Sequence, residues 1–201
     1  MDDKAFHAHQ FNSNKQIKPM KITETPLKGC FIIEPQLFED DRGYFYESYN
    51  AQKLDQALGY SPNFVQDNQS KSSYGVVRGL HMQKEEHAQA KLVRVLEGSV
   101  LDVVVDVRKD SPTYAKSFAI ELTAENKKQL FVPRGFLHGF SVLSATAVFF
   151  YKCDNFYNKA SEYGINPLDP FLNIDWRIHQ EDIILSAKDK EAKSFLESFD
   201  K

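Results

Sequence analysis

Several things are scarce in this chain, and each shortage closes off a class of protein. Only two cysteines, Cys30 and Cys153, occur in 201 residues. Each sits inside an apolar run, so both read as small buried hydrophobes and no disulfide framework is expected. No apolar run approaches the roughly 18 residues that span a bilayer, and the N-terminus has no signal-peptide core. A cytoplasmic address without a membrane partner is therefore the expectation. Positive charge is not in excess: the net charge is -3, which leaves no overall basic footprint for nucleic acid. Any anion must be held by individually placed Arg and Lys. What is present is a hydrophobic content of 42% and an aromatic content of 13%, enough to core one domain of ordinary size.

Residues 1–19 are polar and unpatterned. They read as a disordered extension or an expression remnant, with a single domain over 20–201 and Met20 as a candidate native start. His7 and His9 form an HxH pair in this stretch, with nothing ordered around them to fix a metal. From Lys21 the pattern changes. Ile22 to Ile33 reads as one or two strands broken at Pro26 and Gly29, and Glu39 to Gly43 as a charged turn. Tyr44 to Tyr49 alternates as a half-buried strand does. Asn50 to Leu58 predicts a helix capped by Asn50. Phe64 to Ser70 leads through a Ser-Ser-Tyr-Gly turn. Lys91 to Val107 is the clearest strand pair, with Glu97-Gly98 as the turn between its arms. Further strands are expected at Phe118 to Leu122, Lys127 to Val132 and Val142 to Tyr151. A polar helix is expected from Ser186 to Phe199. Many short strands, Gly and Pro turns and few helices argue for an all-β sandwich or barrel of jelly-roll type.

The stretch Val76 to Lys91 carries the chemistry. His81 follows Arg78 and Gly79, and the stretch ends on Lys91. A neutral imidazole is a natural proton acceptor near neutral pH. A lysine can neutralise the oxyanion that forms as the proton leaves. Arg42 and Arg78 could hold a phosphate. These residues point to proton abstraction from a phosphorylated or nucleotide-linked ketone.

Gly79-Leu-His81, Glu97-Gly98 and Pro133-Arg-Gly135 with His138 resemble the two signatures of the cupin superfamily. Metal cupins carry a second histidine where this chain has Gln83, which argues against a metal. His81, His87 and His138 remain as a three-ligand alternative. A nearer resemblance is to the dTDP-4-dehydrorhamnose 3,5-epimerase family. It is carried by Asp41-Arg-Gly-Tyr-Phe-Tyr-Glu47, Gln66-Asp-Asn68, Val77-Arg-Gly-Leu-His81, Gln89-Ala-Lys-Leu-Val93, Asp106-Val-Arg108 with Ser111-Pro-Thr113, Pro133 to Phe140, Phe150-Tyr-Lys-Cys153 and Leu185-Ser-Ala-Lys-Asp189. Met82, where an aromatic is usual, and Gln69 depart from the family's pattern.

The resemblance implies a cofactor-independent isomerase that converts dTDP-4-dehydro-6-deoxy-D-glucose to dTDP-4-dehydro-L-rhamnose through enolates. His81 resembles the family's base, Asp189 the carboxylate that orients it, Lys91 the enolate stabiliser and Tyr151 the acid of the opposite face. Ser186 to Asp189 also fits a helix capping box, and Asp169, before Pro170, is the competing carboxylate. Arg42 and Arg78 resemble diphosphate ligands. Glu47, Gln66, Asp67, Asn68, His138, Glu162 and Lys188 resemble the other substrate contacts. The family also implies a homodimer, with Ile22 to Ile33 reaching to the partner, and neither cofactor nor metal. Two alternatives stay open: a C3 or C5 mono-epimerase of a related nucleotide sugar, and a non-catalytic sugar-nucleotide-binding cupin.

Overall fold

Short runs of β-branched and aromatic residues, cut by glycine and proline, give short strands. A computed structural model describes residues 20–199; residues 1–19, with His7 and His9, lie outside the described residues. In chain order the strands are β1 (Lys21–Glu24), β2 (Phe31–Glu34), β3 (Phe38–Asp40), β4 (Gly43–Phe45), β5 (Gln66–Ser73), β6 (Val77–Gln83), β7 (Lys91–Glu97), β8 (Ser99–Asp106), β9 (Ser117–Thr123), β10 (Gln129–Val132), β11 (Phe136–Val142), β12 (Thr146–Cys153) and β13 (Glu162–Gly164). Three α-helical segments join them: α1 (Ala51–Leu58), α2 (Ala187–Lys190) and α3 (Phe195–Phe199).

Two antiparallel sheets form the body, with strand orders β1-β2-β10-β7-β12-β5 and β13-β6-β11-β8-β9. Between them lies the main core, where Val93, Val95, Leu130 and Phe149 of the first sheet meet Val100, Val104, Phe136 and Phe140 of the second. This is the expected jelly-roll sandwich, in which inward and outward residues alternate along each strand. Both faces of β8 are apolar because both are covered. Leu101, Val103 and Val105 point away from the main core and are buried with Ile165, Trp176 and Phe195 of the C-terminal segment. On the outer side of the first sheet, Leu54 of α1 packs with Ile33, Ala90, Leu92 and Phe131. Asn50 caps α1 as expected, its side chain accepting from Lys53 N, and Gly59 ends it in the left-handed conformation.

Several expectations are corrected. β7 and β8 do not pair with each other: the chain crosses at Gly98 from one sheet to the other, so β7 lies between β10 and β12, and β8 between β11 and β9. Alternation identifies strands but not their partners. Tyr44 to Tyr49 is not a half-buried strand; only Gly43–Phe45 is extended, and Tyr44 and Phe45 are exposed. Residues 66–73, read as the end of the Phe64 to Ser70 lead-in and the start of a Ser-Ser-Tyr-Gly turn, form the eight-residue strand β5, whose polar sequence hides its period. The helix expected from Ser186 to Phe199 is broken between α2 and α3. There Lys193 O accepts from Asn166 N, and Phe195 N donates to Asp169 Oδ2. Those two tertiary bonds outweigh local helix propensity. Ile22 to Ile33 does give two strands as expected, β1 and β2, with β2 pairing with β10.

Asp106 ties the end of β8 to the following loop. It is fully buried and accepts from Arg108 Nε and Nη2, Ser111 Oγ and Thr113 Oγ1. Burial alone raises its pKa, but Arg108, then the two hydroxyls, outweigh it and lower it to about 2. A depressed carboxylate pKa means stability that is present above the unfolded value and lost as pH falls through the folded one. For Asp106 that is about 2 kcal/mol, lost between roughly pH 5 and pH 2. Unfolding measured against pH should show Asp106→Asn less stable than wild type at neutral pH, with the gap narrowing as the medium is acidified. A gap independent of pH would contradict this role.

Candidate active site

The open end of the sandwich holds a cavity of about 530 Å³. Its lining comes from both sheets and the C-terminal segment, including Asn68, Arg78, His81, Lys91, His138, Tyr151, Ser186 and Asp189. Four of the residues expected to do chemistry therefore share one space.

His81 and His138 face each other as register partners of β6 and β11. The approach of these strands explains Gly79 and Gly139. A Cβ on Gly79 would meet Gly139 Cα at 2.6 Å, and one on Gly139 would meet Arg78 O at 2.7 Å. Gly79 also has φ +136, a conformation that side chains rarely adopt. The irregular register between His138 and Phe140 lies at the same place.

Asp189 reaches His81 from α2, with 2.6 Å between Oδ1 and His81 Nε2. Asp189 makes the contacts that both the capping and the dyad readings call for. Ser186 Oγ accepts from Asp189 N, as a cap does, and also donates to Asp189 Oδ2 at 2.8 Å. Asp189 is 4% exposed. Burial raises its pKa, yet the His81 hydrogen bond and charge, then Ser186 and Lys188, bring it below the ordinary carboxylate range. An ionised carboxylate only accepts, so Nε2 carries the proton and Nδ1 of the neutral ring holds the free lone pair. Asp169, the competing carboxylate, is structural: it accepts from the backbone N–H groups of Phe171, Leu172 and Phe195.

Lys91 begins β7, and its ammonium lies 5.7 Å from the centre of the Tyr151 ring. Burial lowers its pKa. The Tyr151 phenol is pushed up, chiefly by burial, so it stays protonated. Arg78 stands at the mouth, its Nε donating to Ser72 Oγ. Asn68 lines the cavity and accepts from Gln66 Nε2; Gln66 itself is not part of the lining.

Other expected contacts lie elsewhere. Asp67, one residue along β5, points to the opposite face and pairs with Lys152 at 3.0 Å, where strand alternation sends it. Arg42 is exposed on the β3–β4 hairpin and pairs with Asp40 at 2.5 Å. Glu47 pairs with Lys53 at 2.7 Å ahead of α1. Neither lines this chain's cavity. Glu162 and Lys188 pair with each other at 2.6 Å beside the dyad, and Tyr157 donates to Glu162 as well. His87 lies apart, bonded to Asn158. Among the described residues no group of three or more His, Cys, Asp or Glu is placed to hold a metal.

One neighbour was not anticipated. Asp102 of β8, fully buried, lies 2.9 Å from His138 Nε2, giving a second histidine–carboxylate pair. A carboxylate within the apolar run Leu101-Asp-Val-Val-Val105 is the signal that could have found it, because a buried charge needs a partner.

A base held by a carboxylate, a desolvated ammonium and a protonated phenol around one cavity form a set for moving a proton beside a carbonyl. The comparisons with known proteins agree with that chemistry. The family model for dTDP-4-dehydrorhamnose 3,5-epimerase matches residues 24–197. The chain is 48% identical to the dTDP-4-dehydrorhamnose 3,5-epimerase of Shigella flexneri, over 89% of this chain and 98% of that one. Among solved structures, the enzyme of that name from Elizabethkingia anophelis is 60% identical with a TM-score of 0.87, over 90% and 98% of the two chains. The dTDP-6-deoxy-D-glucose-3,5-epimerase of Legionella pneumophila, solved with dTDP-4-keto-L-rhamnose, is 48% identical with a TM-score of 0.84, over 88% and 93%. With the family model matched over residues 24–197 and relatives at these identities and coverages, the chain belongs to the dTDP-4-dehydrorhamnose 3,5-epimerase family.

Proposed function

We propose that this chain inverts C3 and C5 of dTDP-4-dehydro-6-deoxy-D-glucose to give dTDP-4-dehydro-L-rhamnose, with His81, Asp189, Lys91 and Tyr151 as its catalytic set. The observation that carries the reading is the 2.6 Å bond between His81 and Asp189 on a cavity that Lys91 and Tyr151 also line. The C4 ketone acidifies the hydrogens on C3 and C5. His81 Nδ1 removes one, and Asp189 stabilises the imidazolium that results. Negative charge gathers on O4 as the enolate forms. Lys91 meets it, and an ammonium held away from water gains more from that charge than one in solvent. Tyr151 then gives its proton to the opposite face, inverting the carbon. Exchange with solvent resets His81 and Tyr151 before the second carbon is turned.

Arg78 and Lys188, cationic and beside the site, suit the diphosphate. Gln66, Asn68 and His138 suit the base and the sugar. Glu162 supports the site through Lys188. Arg42 and Glu47 fit a homodimer, in which the exposed β3–β4 hairpin of one subunit reaches the other's cavity. Phe38, Tyr44 and Phe45, all exposed on that hairpin, supply apolar surface for such a contact. A water-soluble nucleotide diphosphate substrate fits a cytoplasmic enzyme.

Reaction in D₂O, followed by NMR, should place deuterium at both C3 and C5; label at one carbon alone would make this a mono-epimerase. His81→Asn and Asp189→Asn should each lower kcat by about 10²- to 10⁴-fold, the scale of general base catalysis. Full activity in His81→Asn would instead favour a binding protein without catalysis. Tyr151→Phe should abolish inversion while deuterium still washes into the unchanged sugar, since His81 can return the proton to the face it came from. Loss of washing-in together with inversion would remove Tyr151 from the role of acid.

A further inference from the structure

The dyad depends on what lies beside the imidazole as well as on what bonds to it. Strand β13 runs antiparallel to β6, and Gly164 is the register partner of His81. Ile165 N donates to Leu80 O at 3.0 Å and Leu80 N to Ile165 O at 3.2 Å, which fixes that register. Ile165 itself is fully buried, so the strand end cannot drift. A Cβ on Gly164 would stand 3.3 Å from His81 Cδ2 and 4.0 Å from Nε2, the nitrogen that meets Asp189. Gly164 is not among the glycines with positive φ. Backbone freedom is therefore not the reason for glycine here; the missing side chain is.

The His81 side chain is 31% exposed and can yield toward the cavity, but not without disturbing its bond to Asp189. Its Nε2 is held by Asp189, and Asp189 is held in turn by Ser186. A methyl group at 164 would tilt the imidazole toward the cavity, lengthening the bond to Asp189 and swinging Nδ1 off its line. The same short strand carries Glu162, whose carboxylate grips Lys188, the residue before Asp189, at 2.6 Å. β13 thus lies against His81 and is tied to the residue before Asp189.

We propose that Gly164 is a positioning residue for the epimerisation: the bare surface it presents to His81 sets the tilt of the imidazole, and so the direction from which Nδ1 meets the substrate carbon. This inference rests on His81 being the base. It also predicts that dTDP affinity is indifferent to residue 164: Lys188, the proposed diphosphate contact tied to β13, is held by Glu162 and not by Gly164.

The test compares Gly164→Ala and Gly164→Ser with wild type and with His81→Asn. It uses kcat and KM on dTDP-4-dehydro-6-deoxy-D-glucose across pH, with dTDP binding to count folded sites. Gly164→Ala should lower kcat about tenfold, as a displacement of a few tenths of an ångström at a reacting group does, with KM and dTDP affinity within about twofold. Gly164→Ser should lower kcat at least as far. The acidic limb of the kcat profile should move to lower pH, because a more distant carboxylate stabilises the imidazolium less. Wild-type kcat and pH profile in both Gly164 variants, with His81→Asn inactive, would overturn the inference alone. A fall in kcat, dTDP affinity and folded fraction together would also overturn it, in favour of a purely structural glycine. Retained activity in His81→Asn would remove the base assignment, and this inference with it.

Discussion

One hydrogen bond, from His81 Nε2 to Asp189 Oδ1, joins the two parts of the chain that make the site. His81 belongs to the second strand of the five-stranded sheet, and Asp189 to a helix of four residues. A helix that short has little stability of its own. It stays in place because the segment before it is tied to the sheet: Val77 N donates to Ile184 O, and Ile184 N to Gly75 O. Trp176 and Phe195 anchor the same C-terminal segment in the second core. The packing of that segment therefore fixes where Asp189 meets His81. A misplacement of 1 Å at such a site can cost about 10²-fold in rate.

Around the dyad, charge and dryness are arranged together. Phe140 and Phe149 stack at 4.2 Å in the cavity wall, and the sandwich core lies behind them. Against this apolar wall stand the Lys91 ammonium and the Tyr151 phenol. The same desolvation that lowers the Lys91 pKa raises that of Tyr151. One environment thus keeps the phenol protonated and leaves the ammonium poorly solvated. The buried His138–Asp102 pair gives the opposite wall a fixed polar group. Cross-strand pairing sets the two histidines side by side on the cavity lining.

Much of this was legible in the residues, and the gaps have physical causes. Asn50 and Gly59 bracket α1 because caps are local chemistry. His81, Lys91 and Arg78 could be picked out from residue type and order. The assignment of β7 and β8 to different sheets could not, since pairing is decided by tertiary packing and not by alternation. β5 was missed because Gln66–Ser73 is almost wholly polar. Had it been read as a strand, its period would have parted Asp67 from Asn68. Arg42 and Glu47 resemble family contacts, yet the distance between the hairpin and its own cavity is a property of the fold that no local pattern encodes. The two readings of Asp189, cap and catalytic partner, competed in the sequence; in the structure its backbone N–H bonds Ser186 as a cap does, and its carboxylate bonds His81.

The central claim is that Asp189 fixes the proton of His81 on Nε2 and leaves Nδ1 bare for the substrate. Two-dimensional ¹H–¹⁵N NMR of the imidazole nitrogens in the free enzyme reads this directly. With His81 in its neutral form, the account predicts a protonated Nε2 in a strong hydrogen bond and an unprotonated Nδ1, with that preference lost in Asp189→Ala. A neutral ring carrying its proton on Nδ1 would contradict it.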